Sequence, residues 1–191
     1  MDEHDKTVKL YMEYISGKNL RQYLADSSIT QLDDWKLKWR IAKQITRGLH
    51  NLHCNGIVHR DVNSLNIMLR KNTYQAVITD LGTSKFSEFA KQVSEVANIA
   101  SIAFKAPETY DQHFTEDSDV FSLGMVLYEL ATRIIPFQGQ LLHQIIGAIK
   151  YEKKRPDLNA VHNEAMKYLI EWCWNENPSS RPTCKQILDF I

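Results

Sequence analysis

The alternation of apolar and polar positions predicts a short β-rich opening followed by a mostly helical chain. Val8 to Ile15 is dense in β-formers and reads as a strand, with Gly17 as its breaker. Asn19 is a good N-cap for a short helix through Leu24. Leu37, Ile41, Ile45, Leu49 and Leu52 recur at intervals of three and four, which predicts one long amphipathic helix from about Asp33 to Cys54. Thr30-x-x-Asp33 resembles a capping box at its start, and Asn55-Gly56 supplies a stop. Two short apolar runs, Ile67 to Leu69 and Ala76 to Ile78, flank the polar turn Lys71-Asn72-Thr73 and predict a β-hairpin. From Thr83 to Ser101 the pattern becomes polar and irregular, as in a functional loop or a disordered one. Asp117-Ser118-Asp119 is expected to cap a helix from Val120 to Thr132 that is apolar on most faces and therefore buried. Leu141 to Ile149 and Ala165 to Trp174 are two further amphipathic helices, separated by a charged loop from Lys150 to Asp157. Thr183-x-x-Gln186 forms a capping box for a last helix.

Composition narrows the function classes. A hydrophobic share of 43% in 191 residues is enough for one well-buried domain. The 23 Lys and Arg residues equal the 23 Asp and Glu residues, so no net field draws nucleic acid or an anionic membrane. The longest apolar run, around Val120 to Ala131, is too short to span a bilayer, and the acidic start Met1-Asp2-Glu3-His4-Asp5 does not read as a signal peptide. Cys54, Cys173 and Cys184 are too few for a disulfide framework and read as thiols of a reducing, cytoplasmic compartment. His50, His53, Cys54 and His59 fit no zinc-ligand spacing.

The chemistry gathers between residues 57 and 82. An antiparallel hairpin brings the residue before its first strand beside the residue after its second, so Asn66 and Asp80 share one end, and Asp61 lies on the loop entering it. Two carboxylates and an amide converge where a hard cation wants oxygen ligands. Either aspartate alone reads as a turn or cap residue. Together, His59-Arg60-Asp61 with Asn66, then Asp80-Leu81-Gly82, then Ala106-Pro107-Glu108, resemble the catalytic loop, metal-binding triplet and segment end of the protein kinases.

The resemblance implies a mainly α fold class: a kinase-like C-terminal lobe, helical with a small β-hairpin carrying the catalytic loop. Residues 1–15 are expected to be the last small-lobe strand and hinge, and 16–191 the large lobe of a single partial kinase domain. It implies transfer of the ATP γ-phosphate to a protein Ser/Thr hydroxyl, with ATP and Mg²⁺ as cofactors and a protein substrate as partner. Asp61 is the expected base, Asn66 and Asp80 the metal ligands, and Arg60 the partner of a phosphate on the loop after Gly82. Candidate acceptors on that loop are Thr83, Ser84, Ser87, Ser94 and Ser101. Met12 falls at the gatekeeper position. The backbone of Glu13 and Ile15 would bond adenine, Met68 would floor its pocket, Asn19 would lie near the ribose, and Thr79, just before the metal-binding triplet, would also belong to the cofactor site. Asp119 would tie its helix to the catalytic loop backbone, unless it is a plain cap. Arg181 would pair with Glu108.

Three departures from the family pattern stand out. Asn63 occupies the position where many serine/threonine kinases carry a lysine that touches the γ-phosphate. Leu81 replaces the usual phenylalanine. The seven glycines, at 17, 48, 56, 82, 124, 139 and 147, make no glycine-rich phosphate loop, and neither the strand lysine nor the helix glutamate of active kinases is found. The N-terminal lobe is thus expected to be essentially absent from these residues and the isolated chain to be weak or inactive. The alternative is a non-catalytic, pseudokinase-like binding module. The Trp172-Cys173-Trp174 and Asn177-Pro178 region resembles the tyrosine-kinase-like group of serine/threonine kinases.

Overall fold

The computed structural model describes residues 13–80 and 101–191. Expectations for Val8 to Met12 and for most of the loop after Asp80, including Leu81, Gly82, Thr83, Ser84, Ser87 and Ser94, lie outside the described residues.

Three short antiparallel strands form a sheet of order β1-β2-β3: β1 is Gly17–Asn19, β2 Ile67–Arg70 and β3 Ala76–Ile78. The hairpin β2–β3 follows the sequence pattern. The first strand does not: residues 13–16 have no regular structure, and Gly17 opens β1 instead of breaking it. Close approach explains the difference, because a Cβ on Gly17 would stand 1.9 Å from the Leu69 carbonyl oxygen. Asn19, Met68 and Val77 lie in one row across the sheet. Ile67 and Leu69 point into the core, which leaves Met68 half-buried on the opposite face.

Helix α1, Leu20–Ala25, starts at Asn19, whose side chain accepts from the Gln22 amide while Gln22 reaches back to the Asn19 amide. Helix α2, Trp35–Cys54, buries Leu37, Ile41, Ile45 and Leu49 as the periodicity requires. Its cap is Asp34, 3.0 Å from the Lys36 amide. Thr30–Asp33 forms a separate 3-10 turn, so the expected capping box at Thr30 is not the start of the helix. Gly56, at φ +68°, ends the element in a conformation that favours glycine.

Helix α3, Glu116–Thr132, is buried from Ser118 through Ala131 and forms the centre of the fold. Each fully buried leucine along it contributes roughly 1.5–3 kcal/mol. Thr115 and Ser118 cap it reciprocally, so Asp117 is not the cap and Asp119 is released for another partner. Helix α4, Leu142–Ile146, runs into a wider turn through Tyr151. Helix α5, Glu164–Cys173, packs on α3, and α6, Cys184–Phe190, packs on α2 behind the Thr183–Gln186 box.

Gly17→Ala is expected to destabilise the fold by about 1–3 kcal/mol through steric conflict with β2, measured as a lower urea midpoint with unchanged m-value.

Candidate active site

One buried carboxylate sets the loop that leaves α2. Asp119, 1% exposed, accepts from the His53 ring at 3.0 Å and from the His59 backbone amide at 2.8 Å through Oδ2. Its Oδ1 accepts from the Arg60 amide at 2.9 Å. Arg60 adopts φ +70°, a conformation that costs about 1–3 kcal/mol for such a residue and persists only when its surroundings impose it. The opposite side of the His53 ring faces the Cys184 thiol at 3.6 Å, and burial pushes that thiol up to about 12. His59 then links loop to hairpin: Nδ1 accepts from the Asp61 amide at 3.3 Å and Nε2 donates to the Thr79 carbonyl at 3.1 Å.

Asn63 and Asn66 fold the rest of the loop. Asn63, 2% exposed, accepts from the Leu65 and Asn66 amides and donates to the Asp61 carbonyl. Asn66 Nδ2 donates to both the Asp61 carbonyl and Asp61 Oδ2, at 2.9 Å each, which leaves the amide oxygen as its remaining acceptor. The Asn66 carbonyl in turn accepts from the amide and the hydroxyl of Thr79. Asn66 therefore stands opposite Thr79, with Asp80 next along the chain at φ +63°.

The structure thus brings Asp61, Asn66 and the hairpin end that carries Asp80 to one place. Among the described residues no three His, Cys, Asp or Glu side chains form a metal cluster, so a cation here would rely on the Asp80 carboxylate, the Asn66 oxygen and oxygens of a phosphate ligand. That donor set suits Mg²⁺, which takes one or two carboxylates plus phosphate oxygens. The Arg60 guanidinium lies over the Phe114 ring at 5.4 Å, with its Nε buried and unpaired among the described residues. The expected nucleotide contacts are spread along β1 and β2. Asn19 and Met68 are cross-strand neighbours, whereas the Asn19 side chain is occupied as a cap and that of Thr79 by Asn66. Glu13 pairs with Arg70 at 2.7 Å through its side chain, so a ligand would have to use its backbone, and Ile15 is half-buried.

Two groups lie on the far side of Asp61: Ser101, expected only as a phosphate acceptor, and Lys105, which escaped the sequence pattern. The Ser101 hydroxyl donates to Asp61 Oδ1, and the Lys105 ammonium lies 3.9 Å from the same oxygen. Both precede Ala106-Pro107-Glu108, where Glu108 takes a two-pronged bond from Arg181 at 2.6 and 3.1 Å, as expected. Beneath the loop, Arg21 donates to Ser64 and to Glu129 of α3. Glu129, the one charged residue of that helix after Asp119, is the signal for the buried pair.

The protein kinase domain family matches residues 1–190. The chain belongs to the protein kinase family. It is 36% identical over 180 residues to the serine/threonine/tyrosine-protein kinase HT1 of Arabidopsis thaliana, covering 94% of the chain and 45% of that kinase. It is 31% identical to the probable serine/threonine-protein kinase drkC of Dictyostelium discoideum, over 95% of the chain and 24% of that kinase. It is 32% identical to the dual specificity protein kinase splA of the same organism, over 92% of the chain and 8% of that kinase. The kinase chain described here spans less than half the length of these curated relatives. Among its described residues no helix is long and apolar enough to cross a membrane.

Asp119→Ala is expected to abolish hydrogen-exchange protection at the His59 and Arg60 amides and to lower stability by at least about 2 kcal/mol, since bonds to a charged group contribute most. Burial also raises the Glu129 carboxyl above its ordinary value, against the opposing charge of Arg21. The folded kinase therefore holds that proton more tightly than the unfolded chain. The stability contributed is full below the ordinary carboxylate range and falls as pH rises toward the raised folded value. Urea midpoints measured across about pH 4 to 7 should show this decline, and Glu129→Gln should remove it.

Proposed function

We propose that this chain is the large lobe and hinge of a protein kinase that transfers the γ-phosphate of ATP to a serine or threonine hydroxyl of a protein. The observation that carries the reading is the contact of Asp61 with Asn66 at the hairpin end that delivers Asp80. Kinase catalysis is positioning plus electrostatics, and these residue types suit it. Asp61 orients the acceptor hydroxyl and takes its proton as the oxygen attacks phosphorus. Asn66 and Asp80 would hold Mg²⁺. That ion, when bound, neutralises charge on the phosphates. Met68 offers an apolar surface to adenine, the backbone at Glu13 and Ile15 offers it hydrogen bonds, and Asn19 lies at the ribose end. Arg60 pairs with a phosphate on the segment after Asp80. Serine/threonine preference is supported by the loop from Asp61 to Asn66, which lacks the arginine usual in tyrosine kinases.

A non-catalytic binding module is the second reading. One observation favours it: Asn63 carries no charge, and both ends of its amide are committed to the loop itself.

The test is phosphotransfer from ATP with Mg²⁺ to a generic protein substrate. The chain by itself is expected to turn over slowly, and Asp61→Asn to cut that rate by about 10²- to 10⁴-fold, the usual contribution of a positioned base. Turnover that survives Asp61→Asn overturns the reading, and nucleotide binding with no turnover selects the binding module. Chelation of Mg²⁺ and Asp80→Asn should each weaken nucleotide binding, seen by calorimetry.

A further inference from the structure

Phosphoryl transfer places negative charge on oxygens beside Asp61, yet the loop position that would meet it is neutral. Asn63 cannot turn outward to help. Its oxygen accepts from the Leu65 amide at 2.9 Å and the Asn66 amide at 3.3 Å, its nitrogen donates to the Asp61 carbonyl at 3.1 Å, and the residue is 2% exposed. It is the internal brace of the loop.

A cation stands on the other side of the carboxylate. Lys105 Nζ is 3.9 Å from Asp61 Oδ1 and donates to the Arg60 carbonyl at 3.4 Å, and its side chain is 27% exposed. Among the described residues it is the one basic group paired with Asp61. The Arg60 guanidinium lies over the Phe114 ring at 5.4 Å, a ring that the Lys105 ammonium also approaches at 6.0 Å, but only the lysine is paired with the carboxylate among the described residues. The base of Lys105 is fixed: its amide donates to the Ile102 carbonyl at 3.1 Å, and three residues on, Glu108 is clamped by the fully buried guanidinium of Arg181. Its tip is a compact ammonium on a flexible stem with three donors, which suits a charge that must serve two partners in turn. The Ser101 hydroxyl occupies the same Asp61 oxygen, so this side of the carboxylate accommodates an alcohol beside the ammonium.

We propose that Lys105 supplies, from the end of the segment before Ala106-Pro107-Glu108, the positive charge that the catalytic loop lacks at Asn63, bridging Asp61 and the γ-phosphate oxygens of ATP. The inference rests on the kinase reading above. In the transfer a bond forms between the acceptor oxygen and the γ-phosphorus. The bond from that phosphorus to the β–γ bridging oxygen breaks, and ADP leaves with the electron pair. The hydroxyl proton passes to Asp61. Lys105 keeps its own proton throughout and offsets charge only.

The experiment is calorimetric titration of the chain with Mg²⁺ and either the non-hydrolysable ATP analogue AMP-PNP or ADP. Lys105→Met is expected to weaken AMP-PNP about tenfold while ADP stays within about twofold, and Lys105→Arg to keep most of the preference. An unchanged thermal midpoint for Lys105→Met accompanies this outcome. A Lys105→Met chain with the same AMP-PNP to ADP ratio as the unaltered chain overturns the inference and leaves the kinase reading standing. So does an equal loss for both nucleotides, which marks a merely structural ion pair. Failure of the unaltered chain to bind either nucleotide overturns the kinase reading and this inference with it.

Discussion

The site depends on the Asp119 carboxylate. Burying an unpaired carboxylate costs several kcal/mol, and Asp119 is tolerable only because the His53 ring and the amides of His59 and Arg60 surround it with donors. The arrangement works in both directions. The donors make the buried charge affordable in the core, and the charge holds Arg60 at a backbone angle it would not otherwise keep. Once Arg60 is turned, the next residue is presented toward the hairpin, and Asp61 meets Asn66.

Energy and chemistry are separated in space here. Stability lies in the buried leucines, isoleucines and aromatics of α2, α3 and α5, whereas the side chains suited to catalysis lie on the loop and hairpin above them. Two arginines bind the layers together. Arg155 and Arg181 lie against the Phe121 ring at 4.8 and 5.0 Å, and each is paired with a glutamate, Glu176 and Glu108. The segment end that carries Lys105 is therefore joined to the first turns of α3 near Asp119, so both flanks of Asp61 are referred to one helix.

Local rules made much of this legible from the amino-acid order. The hairpin, the Asn19 cap, the stripe of α2, the Thr183 box and the Arg181–Glu108 pair each follow from residue types at short spacing or from the family resemblance, and each is found. The misreadings arose where a partner, near or far along the chain, changed the meaning of a residue. Gly17 looks like a breaker until Leu69 is seen lying against it. Asp117 looks as good a cap as Thr115, and only the reciprocal bond with Ser118 decides between them. Asn63 stands at the position of a phosphate contact, but it is a brace, and nothing in the residue order marks Lys105. No spacing rule connects residue 61 to residue 105. Their meeting is a tertiary contact that only the fold sets.

The strand pair that bears Asn66 and Asp80 is gripped in two perpendicular directions. Gly17 lets β1 press on its edge, and Gly48 lets α2 press on its face, where an added Cβ would come within 2.9 Å of the Ile78 side chain. Sliding along the strands remains, but it would exchange the inward residues Ile67 and Leu69 for Met68 and break the ladder. The hairpin consequently behaves as a rigid bracket with no hinge of its own. A motion that changed the spacing of Asn66 and Asp80 would have to break that packing or that ladder.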